Sequence, residues 1–133
     1  MKKSIFPLIV LIYSLFIAAC SQSPDDMIVG SWKLVDIKSN QTIPESDKQA
    51  YNEAMEELKA NTLYVFNKDL SYETTNSGIT TKGTWNYNDE KSSLDIVDET
   101  GGTYSIKVTE IASGKLILEE EEDGVITTLI FNK

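Results

Sequence analysis

The chain has 133 residues, of which 41% are hydrophobic and 25% charged, the composition of one folded domain rather than of a disordered segment. It has no histidine, and all of its basic side chains are lysines, which excludes imidazole metal ligation, Ser-His-Asp and Cys-His catalysis, and bidentate arginine clamps on phosphate. A formal charge of -9 argues against nucleic-acid binding, because counterion release needs basic residues massed on one face.

Lys2 and Lys3 precede an uncharged run from Ile5 to Ala19, which ends in the small residues Ala18 and Ala19 immediately before Cys20. This is the layout of a secretory signal peptide, and the run is shorter than the roughly 20 apolar residues of a spanning helix. The tetrapeptide Ile17-Ala18-Ala19-Cys20 resembles the lipobox of bacterial lipoproteins, and Cys20 is the only cysteine. The resemblance implies removal of residues 1–19, lipidation of Cys20 and attachment to a membrane through acyl chains, each buried CH₂ contributing about 0.8 kcal/mol. A single cysteine forms no intrachain disulfide. Losing Lys2 and Lys3 with the leader takes the formal charge from -9 to -11. Residues 20–27 then read as the lipidated cysteine and a flexible tether, polar from Ser21 to Asp26 and interrupted by Pro24. Asp25 and Asp26 are similar to the acidic surface-export signal of Bacteroidetes lipoproteins. The expected address is the outer membrane, facing either the periplasm or the cell surface.

Alternation predicts a first strand from Ser31 to Ile37, with Trp32 and Leu34 pointing one way and Lys33, Val35 and Ile37 the other. After a loop from Ser39 to Pro44, Glu45 to Asn61 reads as an amphipathic helix: Tyr51, Ala54, Met55 and Leu58 recur at helical spacing among charged residues. Ser46 and Gln49 have the spacing of a capping box, and the narrow apolar stripe predicts a helix lying on a surface. From Thr62 onward, short runs rich in Thr, Tyr, Val and Ile alternate with turn residues. Strands are expected at Leu63–Asn67, Ser71–Thr75, Thr80–Tyr87, Ser93–Val97, Thr103–Ile111, Lys115–Glu122 and Val125–Phe131, eight with the first. Turn signals such as Asn76-Ser77-Gly78 and Asp123-Gly124 make consecutive strands antiparallel neighbours. A meander of this length closes into a barrel and so loses its exposed edges.

Gly30-Ser31-Trp32 at the opening of the first strand resembles the Gly-x-Trp signature of lipocalins. The similarity extends to the lipocalin-like domain of small Bacteroidetes lipoproteins through Phe66-Asn67-Lys68-Asp69, Gly83-Thr84-Trp85 and the terminal Ile130-Phe131-Asn132-Lys133. It implies an all-β domain over residues 28–133, an eight-stranded antiparallel up-and-down barrel with one helix between the first two strands. Gly30, Trp32, Gly83 and Trp85 are its signature residues, with Trp32 packed across one end. In transport lipocalins an arginine closes over that tryptophan, and here Lys133 or Lys107 is left for the place. The same likeness puts the helix where a loop covers the barrel mouth, making Tyr51, Met55 and Leu58 the underside of a lid; the other arrangement is a helix packed only on the barrel wall.

The first functional expectation is a binding module for a small hydrophobic or amphipathic ligand, since barrel mouths provide concave, mostly apolar pockets. Tyr64, Phe66, Tyr72, Trp85, Tyr87, Tyr104, Ile106 and Leu118 are the candidate lining. The alternative is a filled barrel, whose interior holds only its own side chains, in an envelope protein that binds a cationic protein partner through its acidic surface. The run Glu119 to Asp123 is the obvious acidic patch, yet alternate carboxylates point to opposite faces, so it reads as a solvated hairpin tip. Nothing marks a catalytic carboxylate pair or a phosphate-cradling loop, and a non-enzymatic monomer without metal or cofactor is expected.

Overall fold

Side chains alternating at period two along each strand put Trp32, Leu34, Phe66, Tyr72, Trp85, Leu94, Ile96, Ile106, Val108, Leu116, Leu118, Leu129 and Phe131 on one face of a continuous sheet, and all of them are buried. The sheet hides that face by closing on itself. The structure, a computed structural model, describes residues 22–133; the leader, the lipobox and Cys20 lie outside the described residues. Its strands are β1 (Gly30–Ser39), β2 (Thr62–Phe66), β3 (Ser71–Asn76), β4 (Ile79–Asn88), β5 (Ser93–Asp98), β6 (Thr103–Ala112), β7 (Lys115–Glu122) and β8 (Val125–Asn132). Each pairs antiparallel with the next, and β8 pairs with β1 to complete the ring. The expected eight-stranded up-and-down barrel is therefore the fold.

Two α-helices accompany the barrel among the described residues. The segment expected to be tether is helical from Pro24 to Ile28 (α1), and so the ordered domain begins before residue 28. The physical reason is local: Ser23 Oγ accepts from the Asp26 backbone N–H, Pro24 stands at the first helical position, and Asp25 and Asp26 occupy the first turn. Ile28 at its end is completely buried. The second helix, α2 (Lys48–Asn61), lies between β1 and β2, entered through a 3-10 turn at Glu45–Asp47. The expected capping box does not form: Ser46 donates its hydroxyl to Asp47, Gln49 donates to Glu53, and no side chain caps α2. No residue of α2 is fully buried, as the narrow stripe predicted, and the helix packs chiefly on β1.

One bulge changes the expected facing of β1. In its ladder with β8, Leu34 pairs with Phe131 and Asp36 with Ile130, so Val35 is an extra residue and is 40% exposed. Ile37, expected to point outward with Val35, instead turns inward beside Leu34. A second bulge in β6, between Val108 and Glu110, brings Ile111 against the core in the same way.

Candidate functional site

The barrel has one sealed end and one open end. At the sealed end Trp32 is fully buried, and its indole N–H donates to the Ile28 carbonyl at 2.6 Å, which pins α1 beneath the ring. Lys133 Nζ lies 4.9 Å from the centroid of the Trp32 ring and donates to the Met27 carbonyl at 3.2 Å. Lys133 therefore takes the place over the tryptophan, while Lys107 is engaged with Glu119 at 3.0 Å. A Cβ on Gly30, which has φ +140°, would stand 2.6 Å from Lys133 Cε, so the absence of a side chain there is what lets the lysine cross.

The other signature residues, Gly83 and Trp85, each make a close approach to a neighbouring segment. The Trp85 indole N–H donates to the Asn67 carbonyl at 3.0 Å and its backbone N–H to the Leu70 carbonyl at 2.9 Å, so the turn that follows Phe66 docks on the strand that carries Trp85. A Cβ on Gly83 would run into the Val97 carbonyl oxygen. Above Trp85, Phe66 meets its ring edge-on at 5.5 Å and stacks on Tyr72 at 5.4 Å, within the range of favourable ring pairs.

This packing sorts the expected lining. Phe66, Tyr72, Trp85, Ile106 and Leu118 are core, filling the barrel rather than lining a hollow. Tyr87 stands near the sealed end, in a shallow groove beside Pro24 and Met27. Tyr104 is at the open end but 41% exposed, its hydroxyl 3.3 Å from that of Tyr72. Only Tyr64 of that set faces the cleft at the mouth. The inward alternation was correct for most of these residues; their height along the barrel separates them.

The mouth holds a cleft of about 260 Å³ between α2 and the upper strands. Tyr51, Met55 and Leu58 line it from α2, opposite Leu34, Ile37, Tyr64 and Leu129. Its polar wall comprises Ser39, Gln41, Thr62, Asn76, Glu120 and Thr127. Thr62 is only 6% exposed, and its hydroxyl is buried without a hydrogen-bond partner, an uncommon and costly state for a polar group. Sequence reasoning missed Thr62 and Glu120, although parity marks both: Thr62 alternates with Tyr64 and Phe66, and Glu120 with Leu116 and Leu118.

Glu120 also lies on a second opening. The β6–β7 ladder runs from Lys107 with Glu119 to Ala112 with Lys115. Beyond it, Tyr104–Ile106 pair only with β5 and Glu120–Glu122 only with β8, leaving a slot in the wall lined by both segments. Glu119 points outward to Lys107, whereas Glu120 borders both slot and mouth cleft. The acidic run is thus split between two faces, and one of its members reaches the cleft instead of being wholly a solvated tip. Glu120 is exposed at the rim of the cleft; the desolvation it does meet there, and then the nearby Glu122, push its carboxyl above its ordinary value. Burial first, then Glu120 and Tyr104, raise Tyr64; burial and the hydrogen bond with Tyr104 raise Tyr72. Both phenols stay neutral hydrogen-bonding groups at physiological pH. Among the described residues there is no group of three or more His, Cys, Asp or Glu side chains placed to hold a metal ion, and no helix long and apolar enough to cross a membrane.

Comparison with known proteins places this geometry in context. A sequence-family model described as "Domain of unknown function (DUF5004)" matches residues 14–122. Among solved structures, the chain is similar to the crystal structure of a DUF4847 family protein from Bacteroides vulgatus ATCC 8482, with a TM-score of 0.57 and 15% identity over 80% of this chain and 93% of that one. At that identity the likeness speaks to the fold. No curated protein matches the sequence.

Proposed function

The chain belongs to the DUF5004 family, and from that premise we propose that it is a lipid-anchored, non-enzymatic binding protein of the bacterial outer membrane, taking a small amphipathic molecule in its barrel mouth beneath α2. The observation that carries this reading is the mouth cleft itself: an apolar floor and roof, one polar wall, and a buried Thr62 hydroxyl lacking a partner. Apolar pockets with a few convergent polar groups are the common form of small-molecule sites. The cleft volume of about 260 Å³ suits a compact ligand, and the packed rings below it leave the lower barrel full. Anchoring at Cys20 rests on the lipobox, and the tether that would hold the domain at its membrane is shortened by α1. The absence of histidine and of any marked catalytic pair supports a binding role.

Native mass spectrometry of protein purified gently from a related bacterial host tests the ligand. A reproducible extra mass that leaves on denaturation is expected; a bare mass that stays bare after incubation with envelope extract overturns the reading. Bare protein would favour the second reading, in which the exposed carboxylates of Glu121, Glu122 and Asp123 meet a cationic protein partner. Fractionation and mass analysis of Cys20 test the anchor separately: membrane-bound, acylated protein is expected, and soluble protein with an unmodified cysteine would refute it.

A further inference from the structure

Three openings meet at Glu120. It lines the mouth cleft, a neighbouring groove with Glu122 and Asp123, and the slot between β6 and β7. No lysine lines the mouth cleft or that groove. Lys107 in the slot is paired with Glu119 and Lys59 on α2 with Glu56, and Lys38, between the cleft residues Ile37 and Ser39 on β1, lines none of the three openings. Glu120 itself has no ion-pair partner among the described residues, and its own strand continues with two further carboxylates, Glu121 and Glu122. A ligand that brought a carboxylate or phosphate into this mouth would meet repulsion with nothing to neutralise it.

The remaining walls favour the opposite charge. Tyr51 and Tyr64 supply aromatic faces, which attract cations. Met55, Leu58 and Leu129 supply apolar surface for a short hydrocarbon body, and Thr62 brings a buried hydroxyl in need of a partner. We infer that the mouth cleft takes a small organic amine, its ammonium against Glu120 and the tyrosine faces and its hydrocarbon body under α2. This deepens, and rests on, the reading of the mouth as a ligand site. The cavity is below the roughly 300 Å³ at the small end of typical ligand pockets, so a two-chain lipid does not fit, and a zwitterionic headgroup would bring its phosphate to the acidic rim. A free monoamine satisfies both limits.

Calorimetric titration of the purified protein at pH 7 with hexylamine, hexanol and hexanoate tests the charge, since the three probes share one chain length. Hexylamine is expected to bind at least about ten-fold more tightly than hexanol, and hexanoate most weakly. Glu120→Gln should abolish the preference, bringing hexylamine down to about the level at which the variant binds hexanol. Thr62→Val provides a second variant that leaves the charge alone: weaker binding of hexylamine, in a protein at least as stable as the parent, supports the site. Equal binding of all three probes, or hexylamine affinity indifferent to Glu120→Gln, overturns the amine inference while the ligand-site reading survives. Failure of every probe overturns both.

Discussion

The sealed end and the mouth of the barrel are made by the same eight strands, yet they are finished in opposite ways. At the sealed end no buried side-chain nitrogen or oxygen among the described residues lacks a partner: the Trp32 indole holds the Ile28 carbonyl, Lys133 holds the Met27 carbonyl and covers the ring, and Trp85 holds the turn after Phe66. At the mouth the helix that forms the roof buries none of its residues completely, a threonine hydroxyl is stranded, and a carboxylate stands without a counter-ion. Stability is concentrated where contacts are complete, and binding sites are drawn from the part of a fold that is left incomplete. The contrast teaches that this barrel holds its shape from one end and leaves the other free to interact.

The sharpest way to break that contrast is Trp32→Ala, which should cost about 3–5 kcal/mol of stability in urea unfolding; an unchanged midpoint would mean that the sealed end does not hold the fold. Lys133→Met removes the cation over the ring and the hydrogen bond to Met27, with an expected loss of about 1.5 kcal/mol in the same assay. At the mouth the direction reverses. Thr62→Val removes a buried unpaired hydroxyl and should raise stability by about 1 kcal/mol, whereas a loss of that size would show that the hydroxyl is satisfied in solution.

The smallest effect is a pH dependence. The Glu120 carboxyl is raised above its ordinary value of 4.5, so the folded chain binds its proton more tightly than the unfolded one. That contribution favours folding at low pH and is lost as pH rises from the unfolded value through the raised one. The neighbouring groups are Tyr51, Tyr64 and Tyr104 across the cleft and slot, Glu121, Glu122 and Asp123 at the rim, and one cation, Lys107 in the slot, which is paired with Glu119 rather than with Glu120. Glu120→Gln should therefore be slightly more stable than the parent at pH 7 and equal to it at pH 3. Comparing the two proteins at each pH isolates this effect from Asp69, Asp95 and Asp98, whose hydrogen bonds with neighbouring serine or threonine hydroxyls lower their carboxyls and act with opposite sign. A difference that grows toward pH 3 would contradict the placement of Glu120.

Much of the architecture was legible because its causes are local. Each strand announces itself by alternation and by the turn residues at its ends, and α2 by its three-to-four spacing. Even α1 carried a readable signal in Ser23-Pro24-Asp25-Asp26, a capping serine, an initiating proline and acidic first-turn residues, although the same residues also fit a polar tether. Tyr51, Met55 and Leu58 were placed at the mouth by the lipocalin likeness, which puts a covering loop between the first two strands, with packing on the barrel wall as the other arrangement. The inward face of the other strands was equally plain.

What the amino-acid sequence determined by itself was the number of strands, their order and which side chains face inward, since these follow from a two-residue period and from turn chemistry. What only the tertiary structure decided was height along the barrel and the exceptions to the period. Tyr64 and Tyr87 both point inward, yet one lines the mouth and the other lies near the sealed end, because the stagger of hydrogen-bonded neighbours around a closed ring sets each residue's level. Ile37 reached the cleft through an extra residue in β1, and the slot beside Glu120 opens because β6 and β7 part company above Lys107. Pairings between strands far apart in the chain control both, and no local pattern encodes them.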